Sequence, residues 1–235
     1  MTSYNDPMAN SLELSAHARR AFQALAEDLA RVFGDRLVAV IAYAPERAAA
    51  FTRTLDGNDL EALSVLAEAW HKSGLETPLL LTADEFARSL DAFPIEYQAI
   101  IDRHVVIAGA PPFDGVRVRT DELRRACEAQ AKGHLIHLRQ SWVDAAGHSD
   151  VLMQRVAGSA LPLRVLLSHV ATLVGEPTAD LAAFAAARCG ANADLIRAVL
   201  ALETQPDGAR AILPRMNEYL HSCEQIWAFV DGWRA

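Results

Sequence analysis

Two small groups of side chains in this sequence are of types that can do chemistry. Asp91 and Glu96 flank a Phe-Pro turn at Phe93-Pro94. Carboxylates so placed could act as acid and base or hold a metal. The residues around them, Phe93, Pro94, Ile95 and Tyr97, read as packing between domains. The preferred reading therefore makes Asp91 a cap or turn former and Glu96 the buried partner of an arginine, with Arg124, Arg125 and Arg139 as candidates. His134 and His137 lie three apart on one predicted helix, a spacing that could set two imidazoles on a metal. No third ligand follows at useful spacing, because His148 and Asp150 fall past the helix end. The pair is read as solvated or core histidines, and no metal or cofactor is expected. Phosphate-binding glycine loops, the dinucleotide fingerprint, the Gly-x-Ser-x-Gly elbow and His-Glu-x-x-His are all absent from the sequence.

Composition narrows the classes. Of 235 residues, 51% are hydrophobic and 22% charged, the balance of a globular chain long enough for one large domain or two ordinary ones. The net charge is −8, and only Lys72 and Lys132 are lysines among the 22 basic residues. That balance lacks the concentrated basic face that general nucleic-acid binding needs. No apolar run approaches the ~20 residues of a membrane span. The N-terminal MTSYNDPMANSLE has neither a basic nor an apolar segment of the secretory kind. Cys127, Cys189 and Cys223 sit among apolar or alanine neighbours and read as buried free thiols of a cytoplasmic protein.

The elements that must position these residues follow from periodicity. Residues 1–10 read as a disordered lead. From Ser11, apolar residues at Leu14, Ala18, Phe22, Leu25, Leu29 and Val32 predict an amphipathic helix ending at Gly34. Leu37–Tyr43 (LVAVIAY) predicts a strand buried on both faces. Phe51–Leu55 alternates as a weaker strand turning at Asp56-Gly57. Asp59–His71 predicts one helix capped by Asn58. Strands are expected near 78–82 and 104–108, with helices between them. Beyond a connector at 113–119 only helices are expected: one from a Thr120 cap to about Ala146, one over 149–174 that Pro162 kinks or splits, a Thr178-capped helix to Arg188, an Asn192-capped helix to about Glu203, and a last helix to about Val230. Trp142, Trp227 and Trp233 are assigned to its core and C-terminal edge. The fold class is an α/β (α+β) arrangement: a mixed-sheet domain over 11–117 and an antiparallel helical bundle over 118–235.

A helix, the strand LVAVIAY, a helix ending in Trp70, then PLLLTADEF, LDAFPIEY and HVVIAG resemble the nucleotidyltransferase superfamily, in its small bacterial form with a C-terminal helical domain. TDELRRACEAQAKGHLIHLRQ is similar to the first helix of that domain, and the similarity covers about residues 30–145. The resemblance implies a Gly-Ser turn after the first strand to hold nucleotide phosphates, an Asp-x-Asp on the next strand and a third carboxylate nearby to bind metals. This sequence has Tyr43-Ala44-Pro45 at the turn, no Asp-x-Asp between 44 and 66, and no acid in PLLLT. Asp56, Asp59, Asp84 and Glu96 are the acids from which a rebuilt site could draw. The resemblance thus implies the frame of the enzyme with a degenerate active site, acting as a binding or regulatory module. The ligand would be a nucleotide or other small molecule in a cleft between the domains, and a protein partner or a second copy is the other class of partner. The alternatives are an active Mg²⁺-dependent nucleotidyltransferase with an atypical site, or a helical-domain ribonuclease. The latter family carries Arg-x(4–6)-His, matched here by Arg164…His169 and Arg215…His221. Chance alone yields about two such matches at this arginine and histidine content, so the pattern carries almost no information.

Overall fold

The computed structural model describes residues 12–234, so the lead assigned to 1–10 lies outside the described residues. The chain divides between Val118 and Arg119 into two compact units.

The first unit is built on a four-stranded mixed sheet. Its elements are α1 (Ala16–Phe33), β1 (Leu37–Ala42), β2 (Ala48–Thr52), α2 (Gly57–Ser64), α3 (Ala67–Lys72), β3 (Leu79–Thr82), α4 (Ala83–Arg88), α5 (Pro94–Asp102) and β4 (Val105–Gly109). The strand order is β3-β2-β1-β4, with β1 antiparallel to both neighbours and β2 parallel to β3. Helices cover both faces. On one, Phe22, Leu25 and Leu29 of α1 pack with Val40, Ala42, Ala48 and Ala50, joined by Leu63 and Trp70. Complete burial of such a side chain contributes roughly 1.5–3 kcal/mol. Asp28, on α1, accepts a hydrogen bond from the Trp70 indole at 2.8 Å and so ties α3 to α1. On the other face Ala39, Ile41, Ala49 and Phe51 pack against Phe86, Tyr97 and Ile100. Phe51 and Phe86 meet edge to face at 5.3 Å between ring centres.

Several elements depart from the sequence expectation, each for a local reason. The second strand is Ala48–Thr52 rather than Phe51–Leu55, and all five residues are buried. Three alanines hid it: they have little β propensity, and burial on both faces removes the alternation that marks a strand. Asp56-Gly57 is not a hairpin turn. Asp56 caps α2, its carboxylate accepting from the N–H groups of Asn58 and Asp59, so the cap is not Asn58. The single helix expected over 59–71 is two, α2 and α3, parted at Val65 and Leu66. Tyr97 packs under the sheet, and Phe93 is exposed.

The second unit is helical: α6 (Thr120–Asp144), α7 (Ser149–Gly158), α8 (Ala160–Leu173), α9 (Leu181–Cys189), α10 (Ala193–Ala201), α11 (Ala209–Ile212) and α12 (Met216–Gly232). Arg124 of α6 donates to the carbonyl of Val230, near one end of α12, and His134 meets Tyr219 near the other, so the two run antiparallel. The α7/α8 break comes at Ser159, where Pro162 sits in the first turn of α8 with no N–H to offer. Among the described residues Ser149–Leu173 is long and apolar enough to cross a membrane, although no single unbroken apolar run marks it in the sequence. Its apolar residues Leu163, Leu166, Leu167 and Val170 are buried within the protein. Asp180, not Thr178, caps α9, and Asn192 caps α10. Pro214 lies in a short 3₁₀ turn that separates α11 from α12, so the last helix is not continuous. Trp142, Trp227 and Trp233 are only partly buried, while Tyr219 is the largest fully buried side chain.

Candidate functional site

The four carboxylates considered for a metal site are placed one by one by their local chemistry. Asp59 is buried and accepts both guanidinium nitrogens of Arg36, at 2.7 and 2.8 Å. It also accepts the Asp56 N–H at 3.1 Å, closing a reciprocal cap with the Asp56 carboxylate. The Arg36 hydrogen bonds hold the Asp59 carboxyl below its usual range. Asp84 is exposed and pairs with Arg88 one turn along α4 at 3.0 Å. Glu96 is exposed. The expectation that an arginine buries it is corrected, because Arg124 pairs with Glu128, Arg125 with Asp121 and Arg139 with Glu224. Among the described residues no group of three or more His, Cys, Asp or Glu converges as metal ligands do.

The turn after β1 is equally committed. The N–H groups of Tyr43 and Ala44 both point to the carbonyl of Arg47, at 3.0 and 3.4 Å. Pro45 has no N–H. A phosphate approaching this turn would have to displace those two hydrogen bonds. Arg47 itself is paired with Glu76 at 2.9 Å.

The helical unit differs. A cavity of about 480 Å³ opens between α6, α7 and the start of α8, a size typical of small-molecule sites. The face of α6 that lines it carries Gln130, Gly133, His134, His137, Leu138 and Ser141. These recur three or four apart, the spacing that keeps residues on one helix face. From the other side come Gln154, Arg155, Gly158, Ser159 and Pro162. The lining contains no carboxylate.

Behind His134 runs a chain of hydrogen bonds. Ser159 Oγ lies 2.7 Å from the Val156 carbonyl, which can only accept, so the serine hydrogen points there. Ser159 Oγ is 3.0 Å from Tyr219 Oη, and with the serine hydrogen on Val156 the tyrosine is the donor across that gap. Tyr219 Oη is 3.1 Å from His134 Nε2, and with its hydrogen committed to Ser159 it accepts from Nε2–H. With the tyrosine hydrogen on Ser159, this arrangement assigns the imidazole the neutral Nε2–H tautomer. Burial, with a smaller contribution from His137, lowers its pKa to about 4. Burial also pushes the Tyr219 hydroxyl well above its usual range and the neighbouring Cys223 thiol up to about 12, so neither ionises near neutrality.

The sequence singled out His134 and His137, and the cavity brings both into one lining. It had no reason to single out Arg155, Ser159 or Tyr219. The legible signal was Gly133, in the interior of a long helix, where glycine costs about 1 kcal/mol relative to alanine. A Cβ there would meet nothing within 4 Å, so close packing does not demand the glycine, and its effect is to leave the cavity open. The two Arg…His pairs are occupied elsewhere. Arg164 pairs with Glu203, and His169 Nδ1 bonds Gln130 Oε1 at 3.0 Å. Arg215 pairs with Glu218, and His221 lies 3.6 Å from Glu224.

Comparison with protein-family models, with curated proteins and with solved structures yields no match.

Proposed function

We propose that this protein works by binding rather than by nucleotide transfer, with a nucleotidyltransferase-like sheet unit whose metal site is degenerate and a helical unit attached to it. One observation carries the reading. Asp59, one of the acids from which a rebuilt metal site would draw, is neutralised by the bidentate Arg36 and locked into a helix cap with Asp56. Three of the roughly four lone-pair sites of this carboxylate are taken, and turning it toward a metal would break its half-buried pair with Arg36. The amides after β1 are likewise taken by the Arg47 carbonyl, which supports the same reading for the nucleotide phosphates. The test is incubation of the full chain with labelled ATP, GTP, CTP or UTP and Mg²⁺ or Mn²⁺, followed by detection of label on protein, RNA or small acceptors. No incorporation is expected. Incorporation that disappears in Asp56→Ala or Asp59→Asn would establish the atypical nucleotidyltransferase instead.

A further inference from the structure

The cavity of the helical unit has groups left over after its internal hydrogen bonds are counted. His134 gives Nε2–H to Tyr219. Its Nδ1 has no hydrogen-bond partner among the described residues and is not sealed from solvent, and His134 lines the cavity. Arg155, an exposed residue, lines the opposite wall and has no ion pair among the described residues. It sits in a chain of net charge −8, in a lining without a single acid. Leu138 and Pro162 supply apolar surface between these polar ends. The donor and acceptor sit on different helices and are held by unlike means: one by a buried hydrogen-bond chain, the other on an exposed stretch of α7.

We propose that this cavity is a binding site for a small organic anion that also carries a hydrogen-bond donor beside an apolar body. The anionic group pairs with Arg155, whose planar fork suits a carboxylate, sulfonate or phosphate. The donor meets His134 Nδ1, which stays an acceptor because the Tyr219–Ser159 chain holds the hydrogen on Nε2. The apolar body lies along Leu138 and Pro162, over the gap left by Gly133 and Gly158. This inference uses residues of the helical unit alone and stands whether or not the sheet unit transfers nucleotides.

The probe is 8-anilinonaphthalene-1-sulfonate, which has a sulfonate, an anilino N–H and two aromatic systems. Its control is N-phenyl-1-naphthylamine, the same rings and N–H without the anion. Fluorescence titration of the folded full chain is expected to show saturable binding of the sulfonate at one equivalent, at least tenfold tighter than the control. Arg155→Gln is expected to weaken the sulfonate tenfold or more and leave the control unchanged. Gly133→Leu, which fills the cavity from an open position, is expected to abolish binding of both, while its circular dichroism and melting curve show a folded chain. Absence of saturable binding, a loss of less than tenfold in Arg155→Gln, or retained binding in folded Gly133→Leu would each overturn the proposal.

Discussion

The sheet unit and the helical unit both hold polar side chains where a ligand could reach, and they use them in opposite ways. Around β1 and β2 the polar groups face one another: Arg36 with Asp59, Asp59 with Asp56, Arg47 with Glu76, and the turn amides with a carbonyl. In the helical cavity the polar groups form a chain that ends in an open imidazole nitrogen, facing an arginine without a carboxylate. A group whose hydrogen-bonding capacity is satisfied internally stabilises the fold and offers a ligand little, whereas a buried chain with one open end is preorganised for a ligand.

Breaking the sheet should have the largest effect. Gly109, paired with Ala39 across β4 and β1, has φ +70°, and a Cβ there would fall 2.0 Å from the Val38 carbonyl oxygen. Gly109→Ala should destabilise the sheet unit by about 3 kcal/mol, combining left-handed strain with a steric clash, read by urea denaturation. Protonation separates the units next. His134 has its pKa lowered from 6.5 to about 4 in the folded state. Between those values the unfolded chain binds a proton that the folded chain refuses, so stability falls as pH falls through that window. The slope reaches at most about 1.4 kcal/mol per pH unit. His134→Gln should flatten it, and an unchanged slope would show that His134 is not the buried neutral group.

Smaller effects should rank the acids. Asp59→Ala leaves the Arg36 guanidinium and the Asp56 N–H without their acceptor and should lower the melting temperature more than Asp56→Ala. The latter costs about 1 kcal/mol through the lost cap. The Asp59 contribution is present above the unfolded carboxylate pKa and is lost as pH drops through its lowered folded value, so the difference between Asp59→Ala and wild type should shrink in acid. Asp84→Asn and Glu96→Gln, both exposed, should leave the melting temperature unchanged within error. If Glu96→Gln instead produced a drop as large as Asp59→Ala, the buried arginine partner expected from the sequence would be restored.

Much of the frame was legible because it rests on periodicity. The α1 stripe, the LVAVIA strand, the capping Asn192 and the split near Pro162 each follow from local chemistry that tertiary contacts do not override. β2 was not placed correctly, because alanines carry almost no strand signal and its burial comes from α1 on one side and Phe86 on the other. The break between α2 and α3 was hidden by an unbroken apolar pattern through Leu60, Leu63, Leu66 and Trp70. The cavity was half legible. His134 and His137 announce a polar face on α6, but the partners that define it, Ser159 and Tyr219, are 25 and 85 residues further along the chain. Nothing local connects them. Tyr219 looks like one more member of an apolar stripe until Ser159 and His134 are brought to its hydroxyl.

The contrast between the units is tested most directly by mapping backbone amide chemical shifts of the full chain during two titrations, one with 8-anilinonaphthalene-1-sulfonate and one with MgATP. The sulfonate is expected to perturb amides between residues 130 and 162 in a saturable way, and MgATP to leave residues 43–59 unmoved. Saturable MgATP shifts at Asp56–Asp59, with the helical cavity silent toward the sulfonate, would contradict it.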